Sequence, residues 1–254
     1  MDVPVFDTEG TRKGSIPLPP AFASALRPDL IRKAVSVAQA NHRQPYGASP
    51  MAGRRQTHQS WGPGRGASRI PRGTQRARAT FAPSVVGGRR AHPPRATKVL
   101  TEKLNVKERR AAVRAALAAT ANVDTVRSRG HQFELEALPL VVDDAFTDVA
   151  TTKGLIETLT KLGVGGDLDR ARSGRHQRAG RGKLRGRRIR TPSSVLVVVH
   201  EAGPVVRAST NLPGVEFCLV DQLNVERLAP GGDQGRLTLF TRSAIEALAA
   251  GVAA

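Results

Sequence analysis

A long stretch without a single acidic residue, Leu30–Thr101, constrains this chain more than any other feature of its sequence. Gly or Pro recurs every few positions from Gln44 to Pro94. Neither a helix nor a ladder strand can run far through such a sequence, because Gly raises the entropic cost of order and Pro removes a backbone donor. We therefore expect a long irregular internal loop extension there, of the kind that is usually functional or disordered.

The charge of the chain is divided unevenly between this stretch, one other segment and the remainder. The formal net charge is +19, and the fourteen Lys and Arg residues of Leu30–Thr101 account for +14. Arg170–His200 carries ten more cations and again no acid, which leaves −5 for the rest of the chain. A weakly acidic body with two strongly basic segments is the asymmetry expected of a protein that binds a polyanion.

The composition of the basic segments favours RNA over a merely solvated tail. Arg greatly outnumbers Lys in both, and a guanidinium group makes bidentate contacts to phosphate and stacks on bases. Tyr46, Trp61 and Phe81 are interleaved with the arginines, as stacking on unpaired bases requires. A solvated or disordered run of charge remains the alternative interpretation at this point.

Outside the basic segments, short apolar runs alternate with helical patterns. Leu138–Val142, Val195–Val199, Val215–Val220 and Leu237–Phe240 have the continuous apolar character of buried parallel strands. We therefore predict one globular α/β domain over residues 1–254, built on a doubly wound, mostly parallel sheet with helices on both faces. An extended basic loop at 44–94 and a second basic loop at 170–190 interrupt it.

Local signals place the ends of several elements. Val3–Phe6 and Gly14–Leu18 predict a hairpin, and Pro28 opens a helix that runs to about Ala40. Asn105 and Glu108 have the spacing of a capping box, which predicts a helix from there to about Ala121. Thr151 or Thr152 is expected to cap the next helix, and Cys218 to be a buried small apolar residue.

No motif in the sequence carries catalytic chemistry convincingly. Gly62, Gly64 and Gly66 lack the preceding strand and following helix of a nucleotide-binding turn. Leu184 stands where a phosphate-binding loop needs Ser or Thr. We therefore expect no catalytic residue, no metal, no cofactor and no membrane span. An RNA-modifying enzyme and an mRNA-binding regulator, each with an α/β domain, remain alternatives.

Two long motifs resemble a known family. Ser60–Arg72 (SWGPGRGASRIPR) is similar to the loop motif of the large-ribosomal-subunit protein four family, in its archaeal-type branch, and Gly87–Pro94 (GGRRAHPP) is similar to the returning arm of that loop. Asn105–Ala121, Arg129-Gly130-His131 and Leu228–Gly232 also resemble that family, so that the likeness covers essentially the whole chain. Pro63 stands where a small or polar residue is expected.

The resemblance implies a structural, non-enzymatic constituent of the large ribosomal subunit in the cytoplasm. The implied partners are large-subunit rRNA, neighbouring large-subunit proteins and the nascent polypeptide, with no membrane. The long loop would penetrate the rRNA and reach the polypeptide exit tunnel. There it would form a constriction together with the loop of a second ribosomal protein.

The candidate site residues fall into two groups. The first, expected to bind rRNA, consists of cationic, imidazole or indole side chains of the two basic segments: Arg43, Arg54, Arg55, Trp61, Arg65, Arg76, Arg78, Arg89, Arg90, His92, Arg95, Lys98, Arg175, Arg178, Arg181, Lys183, Arg185, Arg187, Arg188 and Arg190. The second surrounds the midpoint of the loop, which the resemblance places at the tunnel: Arg69, Ile70, Pro71, Arg72, Gly73 and Thr74.

Overall fold

The computed structural model describes residues 2–73 and 77–251. Two of the candidate site residues, Thr74 and Arg76, therefore lie outside the described residues. The chain separates into two compact units. One unit comprises the residues up to Ala38 together with those from Lys103 onward, and the other is Gln39–Glu102. We call them the body and the basic unit.

The regular elements have the following bounds. The described strands are β1 (Asp2–Phe6), β2 (Arg12–Pro17), β3 (His58–Gln59), β4 (Arg72–Gly73), β5 (Leu140–Val142), β6 (His176–Gln177), β7 (Ile189–Arg190), β8 (Leu196–Val199), β9 (Glu216–Leu219) and β10 (Thr238–Thr241). The described α-helices are α1 (Pro28–Asn41), α2 (Val106–Ala121), α3 (Val123–Ser128), α4 (Thr152–Lys161), α5 (Gly165–Ser173), α6 (Val205–Thr210), α7 (Val225–Leu228) and α8 (Arg242–Ala249).

Six strands of the body form one sheet in the order β2-β1-β5-β10-β8-β9. The hairpin β1–β2 is antiparallel, and every other neighbouring pair is parallel. Leu239 on the central strand β10 lies between Leu140 and Val197 in the ladder. The prediction of a mixed α/β fold on a mostly parallel sheet is thereby confirmed.

Side chains of the sheet alternate between two apolar clusters, one on each face. On β8, Leu196 and Val198 join the cluster of Ile31 on α1, whereas Val197 and Val199 join the cluster of Leu155 on α4. All four residues of β8 are fully buried. A strand that is covered on both faces needs apolar side chains at every position, which is why its sequence is a continuous valine-rich run.

The ends of two helices show which local signals were correct. Thr151 caps α4, because its hydroxyl accepts a hydrogen bond from the backbone N–H of Gly154 at 3.1 Å. The capping box at Asn105 was a wrong prediction, since its side chain accepts no such bond. Glu108 instead forms an ion pair with Lys33 on α1, with 2.9 Å between Nζ and Oε2. The Glu108 carboxylate therefore pairs with another helix and does not cap its own.

Arg236 lies in the interior of the body, immediately before the core residue Leu237. Its side chain is fully buried and donates hydrogen bonds to the backbone carbonyls of Ser194 at 3.1 Å and Arg227 at 2.9 Å. Its Nη1 also pairs with the carboxylate of Glu216 at 2.7 Å. Cys218 on the edge strand β9 is buried as expected, and burial raises the pKa of its thiol.

Within the described ranges, none of the helices combines the length and the apolar character that crossing a bilayer requires.

Candidate nucleic-acid interface

The two arms of the basic unit run side by side. At their base, the Asn41 side chain exchanges hydrogen bonds with the backbone of Glu102, at 2.8 Å and 3.2 Å. Further along, the backbone N–H of Ala48 donates to the carbonyl of Pro94 at 2.8 Å. His58 and Gln59 of β3 then pair antiparallel with Gly73 and Arg72 of β4. The chain therefore reverses direction between β3 and β4.

Two glycines allow the arms to approach each other closely. A Cβ atom on Gly47 would lie 2.3 Å from the backbone nitrogen of Ala96. Gly53 has a φ of +73°, and a Cβ there would lie 2.9 Å from the Cα of Arg89. No other residue type fits either position without moving the opposite arm, since these distances are far shorter than van der Waals contact.

Trp61 organises the turn between β3 and β4. The guanidinium carbons of Arg65 and Arg72 lie 5.6 Å and 5.1 Å from the centre of a Trp61 ring, within the range of cation–π attraction. Arg72 also donates hydrogen bonds to the carbonyl of Ala77 at 2.5 Å and to the hydroxyl of Ser68 at 3.3 Å. The Arg72 side chain thus contacts residues on both sides of it in the sequence and stabilises the turn.

A second aromatic contact follows β4. Phe81 has a φ of +66°, an unusual conformation for a bulky residue. Its ring stacks on His58 with 4.2 Å between centroids and 11° between planes. The Arg89 guanidinium lies 5.8 Å from the centroid of the same ring. Trp61, Phe81 and Arg89 are consequently all partly buried.

Most cations of the basic unit are nevertheless exposed to solvent. Because Leu30–Thr101 contains no carboxylate, acidic partners within the segment are excluded by composition alone. Among the described residues, no ion pair joins a Lys or Arg side chain of this unit to an acid. The exposed candidates are Arg43, Arg54, Arg55, Arg65, Arg69, Arg78, Arg90, His92, Arg95 and Lys98. Their charges remain available for a ligand that carries negative charge.

The second basic segment begins on a helix and continues as a small hairpin. Arg170 and Arg172 belong to α5, after which β6 pairs antiparallel with β7. The backbone N–H of Arg178 donates to the carbonyl of Arg188 at 2.9 Å, which extends the hairpin by one step. The candidate residues here are exposed, and none forms an ion pair with a described acid: Arg175, Arg178, Arg181, Lys183, Arg185, Arg187, Arg188 and Arg190.

The comparison of the whole sequence with known proteins decides the family. The model of the ribosomal protein L4/L1 family matches residues 16–251. The chain belongs to this family. It is 49% identical over 250 residues to the large ribosomal subunit protein uL4 of Halorubrum lacusprofundi, with 98% of this chain and 99% of the relative covered. The protein of the same name from Methanococcoides burtonii is 48% identical over 241 residues, or 95% of each chain.

A further archaeal relative supports the same assignment. The large ribosomal subunit protein uL4 of Archaeoglobus fulgidus is 47% identical over 248 residues, covering 98% of each chain. These relatives carry the name of a ribosomal component and not of an enzyme. The chain is thus an archaeal-type member of the L4/L1 family, as its two loop motifs indicated.

One buried cluster in this L4/L1 family member superficially resembles a catalytic triad. Asp167 on α5 accepts hydrogen bonds from the hydroxyl of Ser194 at 2.5 Å and from Nε of Arg170 at 2.8 Å. The ring Nδ1 of His131 lies 3.1 Å from both carboxylate oxygens. Ser194 and His131 both contact the carboxylate, and no hydrogen bond joins them. The nucleophile–base contact of a triad is therefore missing.

The electrostatics of this cluster are those of a structural network. Burial by itself would raise the pKa of Asp167, but hydrogen bonds from His131, Arg170 and Ser194 outweigh it and hold that pKa well below its usual range. The backbone N–H of Gln132 donates to the same carboxylate at 3.1 Å. The cluster thus joins α5 to two segments that precede and follow it in the chain.

Sequence reasoning missed the internal role of three side chains in this L4/L1 family member. Arg170 was counted only as part of a basic segment, yet it also donates to the carbonyl of Ser193 at 2.8 Å. Arg72 and Arg89 were assigned to the tunnel and to rRNA, whereas each contacts an aromatic ring of its own loop. The interleaving of Trp61 and Phe81 with arginine was the signal that could have revealed these contacts.

Proposed function

We propose that this protein is a structural constituent of the large ribosomal subunit in the cytoplasm and binds large-subunit rRNA. Family membership supports the ribosomal role. The observation that carries the RNA contact is the set of exposed Lys and Arg side chains of the basic unit and of the β6–β7 segment, none of which forms an ion pair with a described carboxylate. Phosphate groups of folded rRNA supply the missing counter-charge.

The proposed binding residues are divided between the two segments. Residues 44–94 act as an extended basic loop inserted into a single α/β domain, and 170–190 supply the second contact. Exposed arginines such as Arg54, Arg55 and Arg90 contact phosphate. Arg89 and Trp61 stabilise the conformation of the loop through their contacts with Phe81 and Arg72, and their exposed parts contact RNA. The ordering entropy of the loop is offset at binding by phosphate contacts and the release of counter-ions.

The turn between β3 and β4 is the part of the loop that we place at the exit tunnel. The proposed lining residues are Arg69, Ile70 and Pro71 of this turn, Arg72 and Gly73 of β4, and Thr74, which follows them in the sequence. Arg72 also braces the turn through its contact with Trp61. Of the described members, Arg69 is exposed and Ile70 and Pro71 are partly exposed. In this proposal the neighbouring partners are other large-subunit proteins, including the one that completes the constriction, and the nascent chain.

Sedimentation of ribosomal subunits tests the ribosomal role. We expect a tagged copy of this protein, expressed in an archaeal host, to sediment with large subunits in a ratio of about one to one. The β6–β7 variant Arg185→Gln, Arg187→Gln, Arg188→Gln should enter the subunit fraction less efficiently, because three exposed phosphate contacts are lost. Recovery of the unaltered protein only in slowly sedimenting fractions would contradict the proposal.

Crosslinking tests the position of the loop. A photoreactive residue at position 70 is expected to capture a stalled nascent chain, because Ile70 lies in the turn between β3 and β4. The matched probe at position 54, on the outgoing arm, should crosslink to rRNA. Nascent-chain capture from position 54 with only rRNA crosslinks from position 70 would show that the tip and the arms have been exchanged in the proposal.

A further inference from the structure

A polar cleft of about 340 Å³ lies in the body, and the residues that line it are not those of the β6–β7 hairpin. Its walls come from the first turns of α1, from α3 and from the segment just before β10. The side chains that matter here are Arg32, Ser128, Arg129, Asp233 and Gln234. Apart from Arg32, none of them belongs to either acid-free segment.

Arg129 carries a hydrogen-bond donor without an acceptor. Its Nη2 donates to the carbonyl of Pro230 at 2.9 Å. Its Nη1 is inaccessible to solvent and has no hydrogen-bond partner among the described residues. Leaving a buried charged donor unpaired costs free energy, which an acceptor in the cleft would recover.

The charges around Arg129 add to the demand for an anion. Burial, together with the charges of Arg236 and Arg170, lowers the pKa of Arg129 to about 10, against the opposing effect of Asp233. Arg32 adds a second guanidinium at the exposed rim of the cleft, and it forms no ion pair with a described acid. Two guanidinium groups that face one cleft match the geometry of a phosphate group.

Gln234 and Asp233 require a hydrogen-bond donor from the ligand. The side-chain oxygen of Gln234 is buried and has no hydrogen-bond partner within 2–73 and 77–251. The carboxylate of Asp233 is exposed and is not paired with any described cation. These two groups accept hydrogen bonds, so a bare phosphate would leave them unsatisfied. The ligand must bring both negatively charged oxygens and a hydroxyl donor.

We infer that this cleft binds one ribose–phosphate unit of an RNA strand. The phosphate lies against Arg32 and Arg129, and the 2′-hydroxyl donates to the unpaired side-chain oxygen of Gln234. The inference rests on the proposed binding of rRNA and adds a third contact to it, on the body. A 2′-hydroxyl is the group by which a protein distinguishes RNA from DNA, so the cleft gives this protein a means of doing so.

The first test is the salt dependence of binding to an rRNA fragment that the protein protects from nuclease. Arg32→Gln should lower the slope of log K against log[salt] by about 0.7–0.9, the value of one phosphate contact. The matched control is Arg27→Gln, just before the same helix, because Arg27 is already paired with Asp29 at 2.7 Å and does not line the cleft. Equal slopes for the two variants would overturn the inference.

The second test uses the same fragment made with 2′-deoxyribose. Gln234→Met keeps the side-chain length and removes the acceptor, so it should weaken RNA binding several-fold and leave binding of the deoxy strand unchanged. An equal loss for both strands would refute the assignment of the 2′-hydroxyl. If the unaltered protein binds neither strand with a steep salt dependence, the proposed rRNA binding itself has failed. A steep slope that Arg32→Gln leaves intact refutes only the cleft.

Discussion

Replacing Asp167 by Ala is expected to lower the free energy of unfolding of the isolated protein by about 3–5 kcal/mol, as removal of one partner from a buried charged network generally does. The Asp167 side chain is fully buried, and the side chain of His131 is 1% exposed. The substitution leaves the ring of His131, the hydroxyl of Ser194 and the guanidinium of Arg170 without their common acceptor. A denaturant titration measures the change as a lower midpoint with an unaltered slope.

Asp169 provides the matched control, because it lies two residues further along the same helix and is exposed. Asp169→Ala should change stability by less than about 0.5 kcal/mol. Asp167→Asn, which keeps the shape of the side chain, serves if the alanine variant does not fold. A loss below about 1 kcal/mol for both Asp167 variants would show that the network contributes little.

The pH dependence gives an independent check on the same network. The pKa of Asp167 is lower in the folded protein than its usual value, so its contribution is present above the unfolded pKa of about 4 and is lost as pH falls through the folded value. The stability difference between the unaltered protein and Asp167→Asn should therefore be largest near neutral pH and shrink below about pH 4.

The body of this protein could be predicted largely from periodicity, because its strands are covered on both faces. A continuous run such as Val195–Val199 has few alternatives to a buried strand. Leu138–Val142 was predicted as a strand for the same reason, and the strand begins two residues later, after Pro139, which has no N–H to donate to a ladder. The short helices α3 and α6 were missed, since six residues barely establish a helical period.

The contacts of individual arginines could not be predicted in this way. Arg236 donates to the backbone carbonyls of Ser194 and Arg227, which lie 42 and nine residues before it, and a backbone carbonyl cannot be recognised from a pattern of side chains. Glu108 had the spacing of a capping residue, but the position of Lys33 was set by the packing of α1 near α2. Composition identified the two segments that are rich in cations. It could not identify which of these cations form contacts within the protein and which remain free to bind a ligand.

Some cations are paired within the protein, and others are exposed and form no ion pair with a described acid. This difference leads to the prediction with the largest expected effect. Binding of the unaltered protein to large-subunit rRNA is expected to weaken by about 10³–10⁵ between 50 mM and 200 mM salt if six to ten phosphates are contacted. The exposed arginines of the basic unit and of the β6–β7 hairpin are numerous enough for such a count. Each contact releases condensed counter-ions from the RNA, and that release is less favourable at high salt.

Two sets of four charge-removing substitutions separate this effect from a general loss of positive charge. Arg185, Arg187, Arg188 and Arg190 are exposed and unpaired with any described acid, so changing all four to Gln should reduce the magnitude of the log–log slope by about 3. The cations of the control set are each paired with a carboxylate of the body, and changing them to Gln removes the same charge: Lys13, Arg27, Lys33 and Arg242.

The control set should change the slope by less than about one unit, because a cation beside its own carboxylate releases few counter-ions from RNA. An equal change in both sets would mean that only the net charge of the protein governs binding, as long-range steering does. A large change confined to the hairpin set would instead require direct phosphate contacts there. The comparison therefore distinguishes attraction by the net positive charge of the surface from direct contacts between particular arginines and phosphate groups.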